Sequence, residues 1–237
     1  MQDYPGPSHM IWTGNPGVGK STAAKIVARY YKSLNIFFGD EPVFVDASSL
    51  IGQYVGQSQG IVNDKMDEAI RKNTVLVIDE AHQLIDGMHG GNYGKSIIDA
   101  MMGRMEESRN CFNVIFIMYR EYYEDFLKIN PGMPSRTITF DFADYDANAL
   151  LEIFKSMCKK TQDKCDEEVL KVVFGFFEEL VANGTVQRGN ARIARQLLDA
   201  MRKKRFKRLL SEHSSIEEIA CEEMVKFIVA DVPEEME

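Results

Sequence analysis

Eight residues near the start of the chain have the composition and spacing of a phosphate-binding loop. Their sequence, Gly14-Asn15-Pro16-Gly17-Val18-Gly19-Lys20-Ser21, fits the pattern Gly-x-x-x-x-Gly-Lys-Ser/Thr. Glycine accepts positive φ, so successive amide N–H groups of such a loop can turn toward one phosphate. Lys20 would bridge the β- and γ-phosphates of a nucleotide, and the Ser21 hydroxyl would bind Mg2+. The predicted nucleotide-binding set is this loop, residues 14–21, together with Thr22.

Two adjacent carboxylates, Asp79 and Glu80, follow the apolar run Val75-Leu76-Val77-Ile78. Ligands of open α/β sheets bind at the carboxyl ends of the strands, which is where this pair would lie. Asp79 would hold Mg2+, directly or through water, and Glu80 would orient and deprotonate an attacking water. Alone, the pair also fits solvated charges at a strand end; after a phosphate loop, it favours nucleotide hydrolysis.

The segments that would position these groups alternate between two periodicities up to about residue 144. Short runs rich in Val, Ile and Phe predict five strands, at residues 9–13, 42–46, 74–78, 113–118 and 136–140. Helical spacing lies between them, at residues 21–33, 61–72 and 95–107. This alternation predicts an α/β fold with a mostly parallel sheet that is covered on both faces.

After residue 145 the apolar residues follow helical spacing alone. Three amphipathic helices are predicted at residues 147–159, 167–181 and 191–210, and a last helical segment at 216–229. The predicted organisation is a nucleotide-binding α/β core at residues 1–144, followed by an all-helical domain with an acidic tail at 145–237. Because Gly14 lies so near Met1, we expect the sequence to be a fragment or one module of a longer protein.

Charge and cysteine usage limit the class of partner and compartment. The chain has 28 basic and 36 acidic residues, a net charge of -8, which argues against a general polyanion binder. One basic stretch, residues 202–208, is the exception; it is a solvated helix face, a nucleic-acid patch or a localisation signal. Four widely spaced cysteines and apolar runs too short for a membrane span predict an intracellular, soluble protein in a reducing compartment.

Several segments together resemble the AAA+ ATPases. They are the phosphate loop, Asp79-Glu80-Ala81-His82 and Gly189-Asn190-Ala191-Arg192. Residues 50–56, 92–96 and 130–136 are similar to the CbxX-type branch, which includes red-type Rubisco activase and the stage V sporulation protein K group. The resemblance spans about residues 9–210. It implies a P-loop core with a five-stranded parallel sheet, a small helical lid domain, ATP and Mg2+ as cofactors, and a homo-oligomeric ring, a hexamer.

The resemblance also implies roles for three further residues. Arg136 stands where the family places an arginine finger that reaches the γ-phosphate of a neighbouring subunit; the alternative is a surface arginine in a loop. Arg192 matches sensor 2, which touches the nucleotide within its own subunit; the alternative is an ion pair on a helix surface. Tyr119 occupies the sensor 1 position, where many members carry Asn or Thr, and it is either catalytic or a packed aromatic.

A further segment resembles the loop that lines the central pore of such rings. Tyr54, Val55 and Gly56 align with it, and an aromatic ring on a glycine-flanked loop can grip an extended polypeptide without sequence preference. The alternative is a tyrosine in an ordinary loop. The glycine-rich residues 86–94 suit a second loop that faces the pore.

These features predict a ring-forming, Mg2+-dependent ATPase that remodels or threads a protein client through its pore, without a membrane. Two alternatives stay open. One is an AAA+ module that acts on nucleic acid as a loader or initiator, for which residues 202–208 are the only support. The other is a nucleotide-binding scaffold with little turnover, which the tyrosine at position 119 allows.

Overall fold

The computed structural model describes residues 8–52, 57–85, 93–108 and 111–233. Their contacts form two compact units. The first unit holds Gly19–Phe142 and the described residues before Asn15, and the second holds Asn15–Val18 and the described residues from Ala143 onward. Four residues of the phosphate loop therefore belong to the second unit.

The first unit is built on a five-stranded sheet in the order β2-β3-β4-β1-β5, in which every neighbouring pair is parallel. The strands are β1 His9–Gly14, β2 Val43–Asp46, β3 Val75–Asp79, β4 Asn113–Ile117 and β5 Thr137–Phe142. The predicted parallel α/β fold is confirmed. Because all strands run the same way, their carboxyl ends lie along one edge of the sheet.

Within the described residues, the helices that accompany this sheet are α1 Lys20–Ser33, α2 Gln57–Lys72, α3 Tyr93–Glu107, α4 Tyr123–Ile129 and α5 Met133–Arg136. Single turns of 3-10 helix occur at Ala47–Leu50, Ala81–Leu84 and Arg120–Tyr122. The prediction missed α4 and α5, which are too short to show a clear period. It also assigned Gly94 to a flexible loop, which is wrong. Gly94 lies in α3, where an added Cβ would be 1.6 Å from the Leu84 carbonyl oxygen.

Alternate residues of each central strand supply two different hydrophobic cores. In β3, Leu76 and Ile78 join a core with α2 and α3, whereas Val75 and Val77 join a core with α1. All four side chains are fully buried. Since successive side chains of a strand point to opposite faces, this division shows that both faces of the sheet are covered.

The second unit is helical, as predicted: α6 Ala147–Thr161, α7 Glu167–Ala182, α8 Ala191–Glu212 and α9 Cys221–Val225, with 3-10 turns at Thr185–Arg188, Ile216–Glu218 and Val229–Asp231. The helical segment predicted over 216–229 is confirmed in part: a 3-10 turn and α9 lie within it, but the chain leaves the helix after Val225. There the chain forms an isolated parallel bridge, in which Lys164 N–H donates to Val225 O and Phe227 N–H donates to Lys164 O. This bridge places Phe227 in the core of the unit, fully buried.

All three arginines of the basic stretch bind carboxylates inside the second unit. Arg202 and Arg205 both donate to Asp163, at 2.6 and 2.8 Å, and the Asp163 side chain is only 4% exposed. Arg208 makes a bidentate pair with Asp231, which is also buried. These arginines fasten the segments that contain residues 163 and 231 to α8. The charges of these three arginines are therefore paired with carboxylates within the fold.

Opposing effects act on the pKa of Asp163. Burial disfavours its charged form, but hydrogen bonds from Thr161, Arg202 and Arg205 outweigh burial, and the pKa is lowered from its ordinary value. The carboxylate is therefore ionised at neutral pH.

No helix in the described ranges combines the length and the apolarity needed to cross a bilayer.

We expect Asp163→Asn to lower the free energy of unfolding by about 3 kcal/mol at pH 7, because it leaves Arg205 nearly buried without its counter-ion. A pKa lowered by folding stabilises the fold above the ordinary aspartate pKa, about 4, and this stabilisation is lost as the pH falls through the folded value. The difference between wild type and variant should therefore shrink below pH 4. Urea unfolding at a series of pH values measures it.

Asp199→Asn is the matched control, because Asp199 lies 3.4 Å from Arg202 on the same helix but is 55% exposed. An exposed pair of this kind contributes less than about 1 kcal/mol. Equal losses in the two variants would show that the buried cluster does not stabilise the unit.

Candidate functional site

The phosphate loop leaves β1 at Gly14 and enters α1 at Lys20. Its backbone is left-handed at Gly17 and Gly19, with φ values of 77° and 93°, and Gly14 has a φ of 141°. Side-chain-bearing residues adopt such angles rarely, so the glycines are needed for the shape of the loop. The buried Lys20 folds back over it, and Nζ donates to the Gly14 carbonyl at 2.6 Å.

The two predicted metal ligands lie side by side in the first unit. Ser21 Oγ donates to Asp79 Oδ2 at 3.2 Å, and the Glu80 amide donates to the other Asp79 oxygen at 3.0 Å. Hydroxyl and carboxylate oxygens are the ligands that Mg2+ prefers in proteins. The residues present therefore fit a hard divalent cation at this edge of the sheet.

Glu80 follows the end of β3 in a left-handed conformation, with φ 52° and ψ 39°. A non-glycine residue in this region is uncommon, and such residues concentrate at functional sites. The Gln83 side-chain amide donates to Glu80 Oε2, which orients the carboxylate. The predicted general base is thus half-buried and held by a neutral donor.

Tyr119 packs by its ring rather than by its hydroxyl. Lys20 Nζ lies 5.7 Å from the centre of the Tyr119 ring, within the range of a cation–π contact. The His82 ring contacts both Tyr119 and Tyr122, with ring centres 4.8 and 4.7 Å away. Burial lowers the pKa of His82 against the opposing effect of Glu80 and other carboxylates, so the stacked imidazole is neutral at pH 7.

Sequence reasoning missed a second polar group at the same edge of the sheet. Arg120 makes a bidentate pair with Asp141 at 2.8 and 2.7 Å, and the Thr13 hydroxyl donates to Asp141 at 2.7 Å. Hydrogen bonding from Arg120, more than any other effect, lowers the pKa of Asp141. The pair links the chain after β4 to the edge strand β5. The position of Arg120 three residues after a strand was its only sequence signal.

The crest of the phosphate loop, Asn15–Val18, belongs to the second unit and forms hydrogen bonds within it. Asn15 Nδ2 donates to both oxygens of Asp144, at 3.0 and 2.9 Å. The carbonyls of the next three residues also accept hydrogen bonds, from Asn190, Ala191 and Tyr145. Sequence reasoning assigned no role to Asp144 or Tyr145, because no local pattern marks a bond to a residue more than a hundred positions away.

Arg192 lies in the first turn of α8 and is exposed. Arg188, Arg192 and Glu179 line part of a groove of about 650 Å3 in the second unit. Throughout the described ranges, no side chain forms an ion pair or hydrogen bond with the Arg192 guanidinium. This arginine is available to an anion, and the predicted sensor 2 role stays a prediction.

Arg136 lies at the opposite end of the sheet from the phosphate loop. It ends α5 directly before β5, where Thr137 pairs with His9, whereas Gly14 pairs with Phe142. Six residues at about 3.3 Å each place Arg136 roughly 20 Å from the level of Gly14. Its Nε is 3.3 Å from a Glu106 oxygen, an ion pair in which the N–H is not aimed well enough to form a hydrogen bond.

The structure therefore brings Lys20, Ser21, Asp79, Glu80 and Tyr119 together at one edge of the sheet and places Arg136 away from them. The predicted pore-loop residues, Tyr54, Val55 and Gly56, lie outside the described residues. The same holds for most of the second predicted loop, residues 86–92.

Two family models match the chain. The model for the ATPase family associated with various cellular activities (AAA) matches residues 10–142, and the model for the AAA lid domain matches residues 146–237. The fold also resembles the crystal structure of the FIGL-1 AAA domain in complex with ADP, with a TM-score of 0.66 over 95% of this chain and 69% of that one, at 17% identity.

Curated relatives include ESX-3 secretion system protein EccA3 of Mycolicibacterium smegmatis, 32% identical over 95% of this chain and 38% of that protein. Protein CbxX (plasmid) of Cupriavidus necator is 32% identical over 88% of this chain and 65% of its own length. Stage V sporulation protein K of Bacillus subtilis is 31% identical over 68% and 49%. The chain thus spans about two fifths of the length of the EccA3 protein.

The predicted family and branch are both confirmed by these matches. The α/β core, the helical unit after it and the phosphate loop agree with the matched models. The chain belongs to the AAA ATPase family, carries an AAA lid domain after its core, and has its relatives in the CbxX-type branch.

Proposed function

We propose that this chain hydrolyses ATP with Mg2+ and that its copies form a hexameric ring, which remodels or threads a protein client through a central pore. The observation that carries the proposal is that Asp79 lies beside Lys20 and Ser21 of the phosphate loop, and that the glycines of this loop have positive φ. This arrangement supplies a cation, a metal-binding pair and backbone donors for one polyphosphate.

Each residue of the site has a chemical task in this proposal. Lys20 would exchange its bond to the Gly14 carbonyl for bonds to phosphate oxygens. Ser21 and Asp79 would hold Mg2+, which neutralises charge on the phosphates when bound. Glu80 would accept a proton from the attacking water, while its hydrogen bond from Gln83 keeps the carboxylate oriented.

We expect Glu80→Gln to bind ATP with wild-type affinity and to hydrolyse it at least about 100-fold more slowly, because the amide cannot accept the proton. Lys20→Ala should instead lose affinity. Nucleotide titration and steady-state phosphate release separate the two effects, and Glu152→Gln on the surface of α6 is the control. Hydrolysis by Glu80→Gln at the control rate would contradict the role of Glu80.

The separation of Arg136 from the phosphate loop of its own chain supports action on a neighbouring copy. About 20 Å of sheet lies between them, which is far beyond the reach of an arginine side chain. A guanidinium that reaches the γ-phosphate of the next subunit can stabilise the charge that develops in the transition state. In this proposal, assembly releases Arg136 from Glu106 and completes the neighbour's site.

The edge strand β5 offers a surface for such an assembly. Ile138 and Phe140 are about half exposed, and an apolar groove of about 510 Å3 lies beside β5 and α1, lined in part by Trp12, Val27 and Tyr30. Exposed apolar patches and open sheet edges are common sites of association. We propose that a second copy of the chain covers part of this surface.

We expect Arg136→Ala to keep nucleotide affinity and to lose about 1,000-fold in hydrolysis by the assembled protein. Mixing it with Lys20→Ala tests the action between copies. Each variant alone should be inactive, but in mixed rings a Lys20→Ala copy supplies Arg136 to the intact phosphate loop of its neighbour. Hydrolysis should reappear on mixing; no recovery in confirmed mixed oligomers would contradict the finger role.

The ring contact between Tyr119 and Lys20 predicts which part of the tyrosine matters. Tyr119→Phe should hydrolyse ATP within about 2-fold of wild type, whereas Tyr119→Leu should lose roughly 3- to 30-fold, because a cation–π contact contributes about 0.5–2 kcal/mol. Steady-state hydrolysis measures both. An equal loss in the two variants would assign the role to the hydroxyl instead.

The ion pairs made by the basic stretch, residues 202–208, favour a protein client over nucleic acid. Arg202, Arg205 and Arg208 bind buried carboxylates, so half of the six basic side chains of this stretch are already paired within the fold. The Glu80→Gln form, held in ATP, should retain its client and allow its capture from cell extract. Recovery of nucleic acid rather than protein would favour the loader hypothesis.

A further inference from the structure

We propose that Asn190 and Tyr145 are positioning residues of the phosphate loop. They hold its backbone carbonyls so that its amides already point toward the phosphate position before a nucleotide binds. The inference rests on the proposed nucleotide-binding function and adds to it a pair of residues that no motif assigns to the loop.

Three consecutive carbonyls at the crest of the loop each accept a hydrogen bond within the second unit. Pro16 O accepts from Asn190 Nδ2 at 3.2 Å, and Gly17 O accepts from the Ala191 amide at 3.2 Å. Val18 O accepts from the Tyr145 hydroxyl at 2.8 Å. A run of three bonded carbonyls leaves the peptide planes between them little freedom to rotate.

The planarity of the peptide bond turns these bonds into an orientation of donors. In a trans peptide the C=O of one residue and the N–H of the next point in opposite directions. Fixing the carbonyls of residues 16–18 therefore directs the amides of Gly17, Val18 and Gly19 away from Asn190 and Tyr145. These are the amides that a phosphate loop presents to its ligand.

The backbone of Asn190 adopts an unfavourable conformation, which the hydrogen bonds of this residue must stabilise. The residue is fully buried and has φ 47° and ψ -121°, a conformation that glycine adopts without strain and other residues rarely adopt. Its backbone N–H donates to Val186 O at 2.8 Å. Strained residues of this kind persist where their other interactions over-determine them, and they concentrate at functional sites.

Every polar atom of the Asn190 side chain is used. Besides Pro16 O, Nδ2 donates to Asp144 Oδ1 at 2.8 Å, and Oδ1 accepts from the Tyr145 amide at 2.9 Å. Asp144 in turn accepts from Asn15. The side chain therefore bonds to the loop on one side and to residues 144 and 145 on the other. A Cβ at Gly17 would lie 1.9 Å from Gly189 O, so the loop also packs closely here.

Two substitutions remove these bonds with different severity. Tyr145→Phe deletes only the donor to Val18 O, and we expect about 3- to 10-fold weaker binding of a fluorescent ADP analogue. Asn190→Gly relieves the backbone strain but deletes the side-chain bonds to Pro16 and Asp144, and we expect at least about 10-fold weaker binding. Competition by tripolyphosphate should weaken by similar factors, because the effect lies at the phosphates.

The matched control is Asn35→Gly, which makes the same change at another asparagine with positive φ, 55°, in an exposed turn. It should bind the analogue within about 2-fold of wild type. Hydrogen exchange of nucleotide-free protein gives a readout that a general structural role would not move. The Ala191 amide, which donates to Gly17 O, should exchange faster in Tyr145→Phe and Asn190→Gly, while the amides of α7 keep wild-type protection.

Wild-type affinity and wild-type exchange of the Ala191 amide in Tyr145→Phe would overturn the inference even where Asn190→Gly fails to fold. If Tyr145→Phe or Asn190→Gly weakens binding only together with a loss of protection throughout α7, the role is structural and the inference is wrong. A wild-type chain that binds neither the ADP analogue nor tripolyphosphate overturns the proposed function, and this inference with it.

Discussion

Parallel pairing of β1 with both β4 and β5 is the constraint on which the rest of the site depends. Because these strands run in one direction, the turns that follow them meet at a single edge of the sheet. The phosphate loop, Asp79 and Tyr119 follow three different strands and so come together there. The same pairing places Arg136, which precedes β5, at the opposite ends of the strands. The topology of the sheet thus separates Arg136 from Lys20, Ser21 and Asp79 of the same chain.

The second unit uses polar groups in two distinct ways. Around α8, buried carboxylates at Asp163 and Asp231 bind arginines and fasten the end of the chain to the helices. Around residues 144 and 190, the buried Asn190 and the partly buried Tyr145 bind the backbone of the phosphate loop. Unpaired groups of either kind would be costly in a desolvated position, so both networks are fully bonded through the described partners. The first supports stability, and the second is available to support binding.

The elements and the site were predictable to different degrees. Strands such as β3 and helices such as α7 carry apolar periods that decide their type, and the phosphate loop is a contiguous motif. The end of the last segment was mispredicted because a bridge to Lys164, distant in sequence, overrides its helical period. Residues 202–208 were predicted to be a basic surface, because nothing in the local sequence indicates that Asp163 and Asp231 would bind the arginines of this stretch. Asn190 belonged to a recognisable motif, yet its contacts with Pro16 were not visible.

The sequence by itself determined the family, the alternation of strands and helices in the core, and the phosphate-loop motif, because each depends on residue types at short, fixed spacings. Only the tertiary structure decided which carbonyls are held, which arginines are already paired, and that Tyr119 meets Lys20 through its ring. Such contacts join residues up to 174 positions apart, and their geometry depends on how the elements pack. Packing depends on the whole chain, and local sequence patterns do not predict it.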